Sequence, residues 1–382
     1  MLSGGVQASL ALVAINAVLP AIDAALAHSP GDSLLVKQLL GAVGLAMVVG
    51  APLGGFLVDR VGLRALLIGG GLLYTAAGTA GLYLSSLPLL VASRLAIGVT
   101  AGALQVVSMT VINTHLAGAQ RAKWMGMHIS VAMLGTLALH PISGFLGNFG
   151  WRWPFTLYFL GLTMVPLGLM QASQSPMTHS VRPSAEIQLA PVERGLLAAF
   201  PYHYLPFAMA IGAIIFVPTV YLPFILRNMG FGTPLLISLV LTADSVAGTI
   251  TAMFYGRARR HISTHGSFVI SFALTTIGLG VALSFHQAWI FIGGVMIYGI
   301  GVGWLLANLI VALSDKVSQA QQGRAAGFVK AAHFASAPLG IVLIEPIVRQ
   351  HGPLTALVIA AILSACLLGL VGLRSALKPL PA

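Results

Sequence analysis

Gly55-Phe56-Leu57-Val58-Asp59-Arg60-Val61-Gly62-Leu63-Arg64 is a short charged turn set between two apolar runs. The run before it covers about 38–58 and the run after it about 65–84. Each is ~20 residues long, the length of helix that crosses a hydrocarbon core of ~30 Å. So short a turn makes the two helices antiparallel neighbours. Gly55 lets helices approach closely, and Gly62 allows a tight change of direction. Asp59 and Arg60 can pair, or cap helix ends, at one membrane surface.

Outward from this turn the pattern repeats along the whole chain. The other spans are expected at about 5–27, 88–112, 124–147 and 154–172, then about 201–226, 234–256, 267–285, 288–313, 326–349 and 353–373. Composition agrees: 58% of the residues are hydrophobic, 7% are charged, and the mean hydropathy is +0.96. A soluble domain carries about 25% charged residues, so the solvent of this chain is largely lipid. Lipid admits only helices or closed barrels. Long continuous apolar runs, rather than ten-residue alternating segments, select helices.

The formal charge of +11 would suggest nucleic acid in a soluble protein. Here the basic residues lie in short loops, where they set orientation. With the N-terminus inside, one side holds Arg60, Arg64, Arg121, Lys123, Arg182, Arg194, Arg257, Arg259, Arg260, Lys316, Arg324, Arg374 and Lys378. The other holds Lys37, Arg152, Arg227 and Arg349. Both termini are therefore expected in the cytoplasm, and no nucleic-acid partner is expected. The lone cysteine, Cys366, excludes an internal disulfide and is expected to be a packing residue. The N-terminal apolar run lacks a basic n-region and an obvious cleavage site, so it reads as a retained first helix.

Ser173–Gly195 differs in composition, with Pro176, Arg182, Pro183, Glu186, Pro191, Glu193 and Arg194. It divides the chain into an expected six-span half at 1–172, a cytoplasmic linker at 173–200 and a second half at 201–382. A basic turn follows the second span of each half, at Asp59–Arg64 and at Arg257–Arg260. The halves thus read as parallel repeats.

The turn at Gly55–Arg64 resembles the signature loop of the major facilitator superfamily, G-x-L-a-D-r-x-G-r-k, through Gly55, Leu57, Asp59, Arg60, Gly62 and Arg64. Leu63 stands where a basic residue is usual. In that family the loop governs conformational switching. Arg94, Gly98 and Gly102 resemble the family's fourth-helix pattern R-x-x-x-G-x-x-x-G/A. Gly126, Gly135, Pro141 and Gly144 are similar to the fifth-helix motif of the antiporter branches, with His140 and Phe145 in place of glycines. Trp151-Arg152-Trp153-Pro154-Phe155 resembles the usual entry to the sixth helix, and Asn16, Leu19 and Pro20 resemble the end of the first helix in drug exporters. The aspartate that often precedes that last pattern is absent, with Ala11 near its place.

Ionisable groups inside spans are costly and mark candidate sites. Arg94 should face the interior and be paired. Asp23 is the candidate partner, since the two lie about 6 and about 9 Å in from the outer ends of their spans. Asp244 falls near the middle of the eighth span, the most expensive depth for a carboxylate. It reads as a proton carrier or substrate contact, or as a neutral acid bonded within the bundle. His140 can use the carbonyl freed by Pro141. Lys330 and His333 are expected to snorkel near the cytoplasmic end of their span, and Glu345 to be solvated near the outer end. No phosphate loop, zinc motif or nucleophile constellation is present.

The resemblance implies an all-α integral membrane protein with the major-facilitator fold, twelve transmembrane helices as two pseudo-symmetric six-helix bundles. It implies a secondary transporter of a small molecule by alternating access, without cofactor or metal, acting as a monomer in the cell (inner) membrane. The expected activity is proton-coupled efflux of a drug-like or apolar compound. Its rivals are uptake or facilitated diffusion of a metabolite, a non-transporting membrane sensor, and a membrane enzyme. The proton-coupling or charge-pair candidates are Asp23, Arg94, Asp244 and His140.

Overall fold

The computed structural model describes residues 3–116, 118–170, 200–284, 287–314, 316–318 and 321–376. Most of the expected linker, and the last residues of the chain, lie outside them. Among the described residues the regular structure is entirely helical. Eleven helical segments are long and apolar enough to cross a membrane. One of them, Pro30–Leu82, is two spans in one, because its helix breaks at Gly62 with φ 81° and ψ 160°. Twelve spans result. They are Ser3–Leu26, 30–61, 63–82, Leu87–Ile112, Lys123–Gly147, Trp153–Met170, Tyr204–Asn228, Pro234–Ala258, Thr264–Ser284, Ala288–Ser314, Ala325–His351 and Leu354–Leu373. The chain divides into two compact units, Met1–Val192 with Gly232–Ser238, and Glu193–Phe231 with Leu239–Ala382.

The first span is not the continuous helix expected. It runs as Ser3–Val13, a 3₁₀ turn at Asn16–Val18, and Leu19–Leu26. Pro20 has no N–H for the carbonyl of Asn16, four residues back. The Leu19 N–H serves that carbonyl instead, and the Val18 N–H turns to Ile15 O at 3.1 Å. Ala14 O thereby loses its helical donor. The hydroxyl of Ser143, on the fifth span, donates to it. An apolar interior leaves no cheaper way to satisfy that oxygen.

The sixth span is also irregular. Trp153–Thr163 is 3₁₀ and only Met164–Met170 is α-helical. The sequence carries the reason. Phe155, Tyr158, Gly161 and Met164 recur at intervals of three, and all four are buried. Residues three apart eclipse in a 3₁₀ helix, so this stripe makes one straight face. That face meets the small residues of the third span: a Cβ on Gly71 would lie 2.6 Å from Met164 Cβ, and one on Gly78 or Gly81 would strike Tyr158 or Phe155. The tighter winding also adds length. Eleven residues at ~2.0 Å and seven at ~1.5 Å reach about 32 Å, whereas all eighteen as α-helix would reach about 27 Å.

Spans two and four cross through paired small residues. Gly50 and Gly54 face Val99 and Ala103, while Gly98 and Gly102 face Val43, Ala46 and Met47. A Cβ on Gly102 would sit 2.5 Å from the Met47 carbonyl oxygen. The second unit repeats the device between spans eight and ten, where Gly303 lies against Gly248 O. With no hydrophobic drive between helices in lipid, close backbone approach supplies the packing energy.

Three expectations at individual residues are corrected. Cys366 is exposed on the surface of the last span rather than packed. Lys330 is exposed, but His333 is 3% exposed and packs in a three-ring cluster with Phe216 and Phe334. Glu345 is not solvated: it is 2% exposed and bonded to Tyr221 and Arg349. The periodicity that placed these residues in spans did not say which face of the span turns inward.

Gly102→Val is expected to destabilise the first unit by about 1–3 kcal/mol through overpacking. The check is a lowered unfolding midpoint in detergent, with Gly126→Val, whose site is open, as the control that changes little.

Candidate functional site

The turn between spans two and three takes its shape from Gly62. Its φ of 81° is a left-handed conformation that costs an L-residue ~1–2 kcal/mol. No neighbour lies within 4 Å of a Cβ built there, so the backbone, not crowding, demands the glycine. Arg60 does not pair with Asp59. Its guanidinium lies over the Phe56 ring, 4.3 Å from the centroid. Asp59 and Arg64 are exposed. Leu63, at the position where the resemblance led one to expect a base, is 7% exposed and packs with Leu66 and Val107. A base there would be buried in an apolar cluster.

Arg94 is 1% exposed within the first unit. Its partners are neutral. Nη1 donates to the Tyr158 hydroxyl at 2.8 Å, and Nη2 donates to Gly78 O at 3.1 Å and Ala77 O at 3.4 Å. The guanidinium also faces the rings of Tyr158 and Phe155, at 4.8 and 5.0 Å from their centroids. The carbonyls belong to the end of the helix in span three, where the peptide dipoles favour a cation. The expected Asp23 partner is not there. Asp23 Oδ1 is buried with no hydrogen-bond partner. Similar depth along two helices did not bring the side chains together, because the open carbonyls of span three offered the guanidinium a nearer set of acceptors.

A second arginine holds the same region. Arg152 donates to Gly81 O at 2.7 Å, Leu84 O at 2.8 Å and Ser85 Oγ at 2.9 Å, with its guanidinium 4.2 Å from the Trp151 ring centroid. Two cations from different elements thus close the C-terminal end of span three.

Asp244 lies in the second unit, on the face of span eight that meets span ten. That face reads Asp244, Gly248, Thr251, Tyr255, and the opposing face reads Gly299, Gly303, Trp304, Asn308. Trp304 Nε1 donates to Thr251 O at 2.6 Å. The Tyr255 hydroxyl donates to Asn308 Oδ1 at 3.0 Å, and Asn308 Nδ2 donates to Thr264 O at 2.9 Å. The Thr251 hydroxyl donates to Ala247 O at 2.8 Å. Asp244 is the exception on this seam: its Oδ1 is buried and has no hydrogen-bond partner. A Cβ on Gly299 would collide with that oxygen and would lie 2.6 Å from Asp244 O. Gly299 is the shelf on which the carboxylate rests.

Of the fifth-span residues, Gly144 is tightly packed, against Ser238 and Pro234 of the segment that clusters with the first unit. Gly126 faces open space and Gly135 has only Val6 at 3.9 Å. His140 is buried. Pro141, one residue later, lies inside the helix, which continues to Gly147.

The family model described as Major Facilitator Superfamily matches residues 2–237 and 205–381. The chain belongs to the major facilitator superfamily. As a member it is a multi-pass membrane transporter of small molecules and not an enzyme. No curated protein matches its sequence. Among solved structures it is similar to the nucleoside transporter NupG, at 12% identity and TM-score 0.75 over 99% of each chain. It is similar to a D-xylose–proton symporter, at 15% identity and TM-score 0.74 over 97% of this chain and 95% of that one. An auto-inhibited POT family peptide transporter gives 14% identity and TM-score 0.72 over 100% and 96%. At such identities the likeness carries the superfamily's fold alone.

Several residues that build these centres carry no charge and so escaped a search for ionisable groups. Tyr158 and Phe155 were findable through the three-residue period of the sixth span. Gly299 and Gly303 were findable as a small-xxx-small pair. Arg94→Lys is expected to lower the unfolding midpoint of the purified transporter by the equivalent of about 2–4 kcal/mol, because one ammonium cannot span the three acceptors of the fork. Tyr158→Phe, which removes one acceptor, is expected to cost about half as much. A lysine variant as stable as the parent would show that the fork is not what holds the first unit.

Proposed function

We propose that this member of the superfamily exports a small, mainly apolar compound in exchange for protons, by alternating access. Asp244 carries the reading. It is an acid near the middle of a membrane span, on a seam whose other polar side chains are satisfied, with one oxygen buried and unpartnered. Leaving a carboxylate ionised and unpaired in such a place costs several kcal/mol, and binding a proton removes that cost. A group whose comfort depends on a proton is suited to couple proton movement to a change of state. Arg94 does not release its proton and serves as a fixed cation that holds spans three, four and six. Asp23, with an unpaired buried oxygen of its own, is the second acid available to the cycle. The turn of Gly55, Asp59, Arg60, Gly62 and Arg64 is assigned the switching role.

Export is favoured by the fifth-span pattern of Gly126, Gly135, Pro141 and Gly144. The departures at His140 and Phe145 favour a second reading, uptake or facilitated diffusion through the same fold. The proposed setting is the inner membrane, with both termini and the 173–200 linker in the cytoplasm, two six-helix halves, and the monomer as the working unit.

The deciding experiment places purified protein in proteoliposomes with a pH-sensitive dye and adds a panel of small apolar compounds. Compound-driven proton movement opposite to the compound's own direction is expected, and Asp244→Asn is expected to abolish it. Flux that ignores an imposed pH gradient would sink proton coupling and leave a facilitator.

A further inference from the structure

We propose that Tyr298 is the residue that transmits the protonation state of Asp244 to a proline break in the seventh span. The inference rests on the reading of Asp244 as a proton site and deepens it.

Tyr298 directly precedes Gly299, the shelf under the Asp244 carboxylate. It is 4% exposed, and its hydroxyl points away from span ten into span seven. There it donates to Ile214 O at 3.0 Å, with Ile215 O at 3.2 Å. Ile214 O needs that donor. Its helical partner would be the N–H of residue 218, and residue 218 is proline. The carbonyl that Pro218 leaves open, inside a helix that runs unbroken over Tyr204–Asn228, is therefore met by a side chain of span ten, the one adjacent to the point where span ten touches Asp244.

The contact at Gly299 has no slack. Asp244 Oδ1 and O both lie within the space a single methyl group would fill. The next contact along the seam, Gly303 against Gly248 O, leaves only 2.5 Å for a Cβ. Close-packed surfaces of this kind move together or separate; they do not compress. When Asp244 loses its proton, its buried oxygen is a charge without a donor. Asp244 is half-buried, but its Oδ1 on the shelf is closed to solvent. To gain water or a donor that oxygen must leave the shelf, and span eight then shifts against span ten at residues 298–299. A shift there of the order of 1 Å breaks a hydrogen bond, whose usable range is narrow. Ile214 O is then left without a donor, and span seven is free to bend at Pro218. Protonation returns the carboxylate to the shelf and the hydroxyl to Ile214 O.

The groups that face this junction are few. Tyr298 is the titratable side chain that span ten brings within electrostatic range of Asp244. Span seven presents Thr219, whose hydroxyl donates to Ile215 O at 2.7 Å and also lies in hydrogen-bond contact with the Tyr298 side chain. Thr251, Tyr255, Trp304 and Asn308 lie further along the seam and are bonded to one another or to backbone. Tyr298 touches no reacting atom and acts through the helix it closes, as a positioning residue.

The test uses the full chain in nanodiscs with no transport substrate. Hydrogen–deuterium exchange of peptides covering residues 211–224 is compared at about pH 6 and about pH 8, after correction for intrinsic rates. The parent protein is expected to exchange several-fold faster in this segment at the higher pH. Asp244→Asn is expected to abolish the difference and hold the slower rate. Tyr298→Phe is expected to abolish it and hold the faster rate, with peptides around Asn308 unchanged. Pro218→Ala restores the missing N–H, so in that background Tyr298→Phe is expected to have no further effect.

A Tyr298→Phe protein that keeps the pH response, while Asp244→Asn loses it, would overturn the link and leave Asp244 as the proton site. An Asp244→Asn protein that keeps the response would overturn the proton reading of Asp244 itself. If Tyr298→Phe speeds exchange equally with and without Pro218, the hydroxyl acts elsewhere and the proposal fails.

Discussion

A backbone carbonyl inside the bilayer must find a donor within the protein, and at three places where the helical donor is missing a side chain of another element supplies it. Pro20 disturbs the first span, and Ser143 of the fifth span reaches Ala14 O. Pro218 disturbs the seventh, and Tyr298 of the tenth reaches Ile214 O. The end of span three offers Ala77, Gly78, Gly81 and Leu84, and two arginines take them. An unmet carbonyl in hydrocarbon costs several kcal/mol, so none of these side chains is free to be replaced by an apolar one of similar shape. The connectivity of the interior follows from where helices fail rather than from where they succeed.

Small residues supply the complementary rule. Where the helices are intact they approach through Gly50, Gly54, Gly98 and Gly102 in one unit and through Gly248, Gly299 and Gly303 in the other. In the second unit one position of this lattice is filled by Asp244 instead of a small residue. A carboxylate thus occupies a site whose geometry was built for backbone contact. Under the proposed reading, that placement makes its protonation state mechanical, because Gly299 leaves no free space beside the carboxylate.

Span positions were legible to within about three residues, because ~20 apolar residues between charged turns have one solution in a bilayer; the exception is the second span, which begins eight residues before the expected 38, at Pro30. The turn at Gly62 was legible because Gly62 and its neighbours carry a pattern with a physical purpose. Facing was not legible. Arg94 was given Asp23, and the structure gives it Tyr158 and two carbonyls; Glu345 was given to solvent, and the structure gives it Tyr221 and Arg349. In an all-apolar helix the hydrophobic period that marks the inner face of a soluble helix is absent, since lipid is as apolar as the core. What remains are the small-residue pairs and, for span six, the three-residue stripe that sets a 3₁₀ helix. Broken helices were hidden for the related reason that proline is tolerated in spans so long as a neighbour answers for it, and the neighbour lies far away in sequence.

Arg94 and Asp244 are treated in opposite ways. Arg94 has hydrogen-bond acceptors on both terminal nitrogens and ring faces beside its plane. Its charge is permanent, and the surrounding groups are arranged for one state only. Asp244 has a glycine shelf and no donor on its buried oxygen, an environment that suits a neutral acid at rest and penalises the anion. A site satisfied in one charge state is architecture. Under the proposed reading, a site satisfied only when a proton is present ties the energy of the fold to proton supply, and through Gly299, Tyr298 and Ile214 that energy reaches span seven at Pro218. The free energy that matters to a cycle is the difference between two states, and under the proposed reading Asp244 supplies that difference.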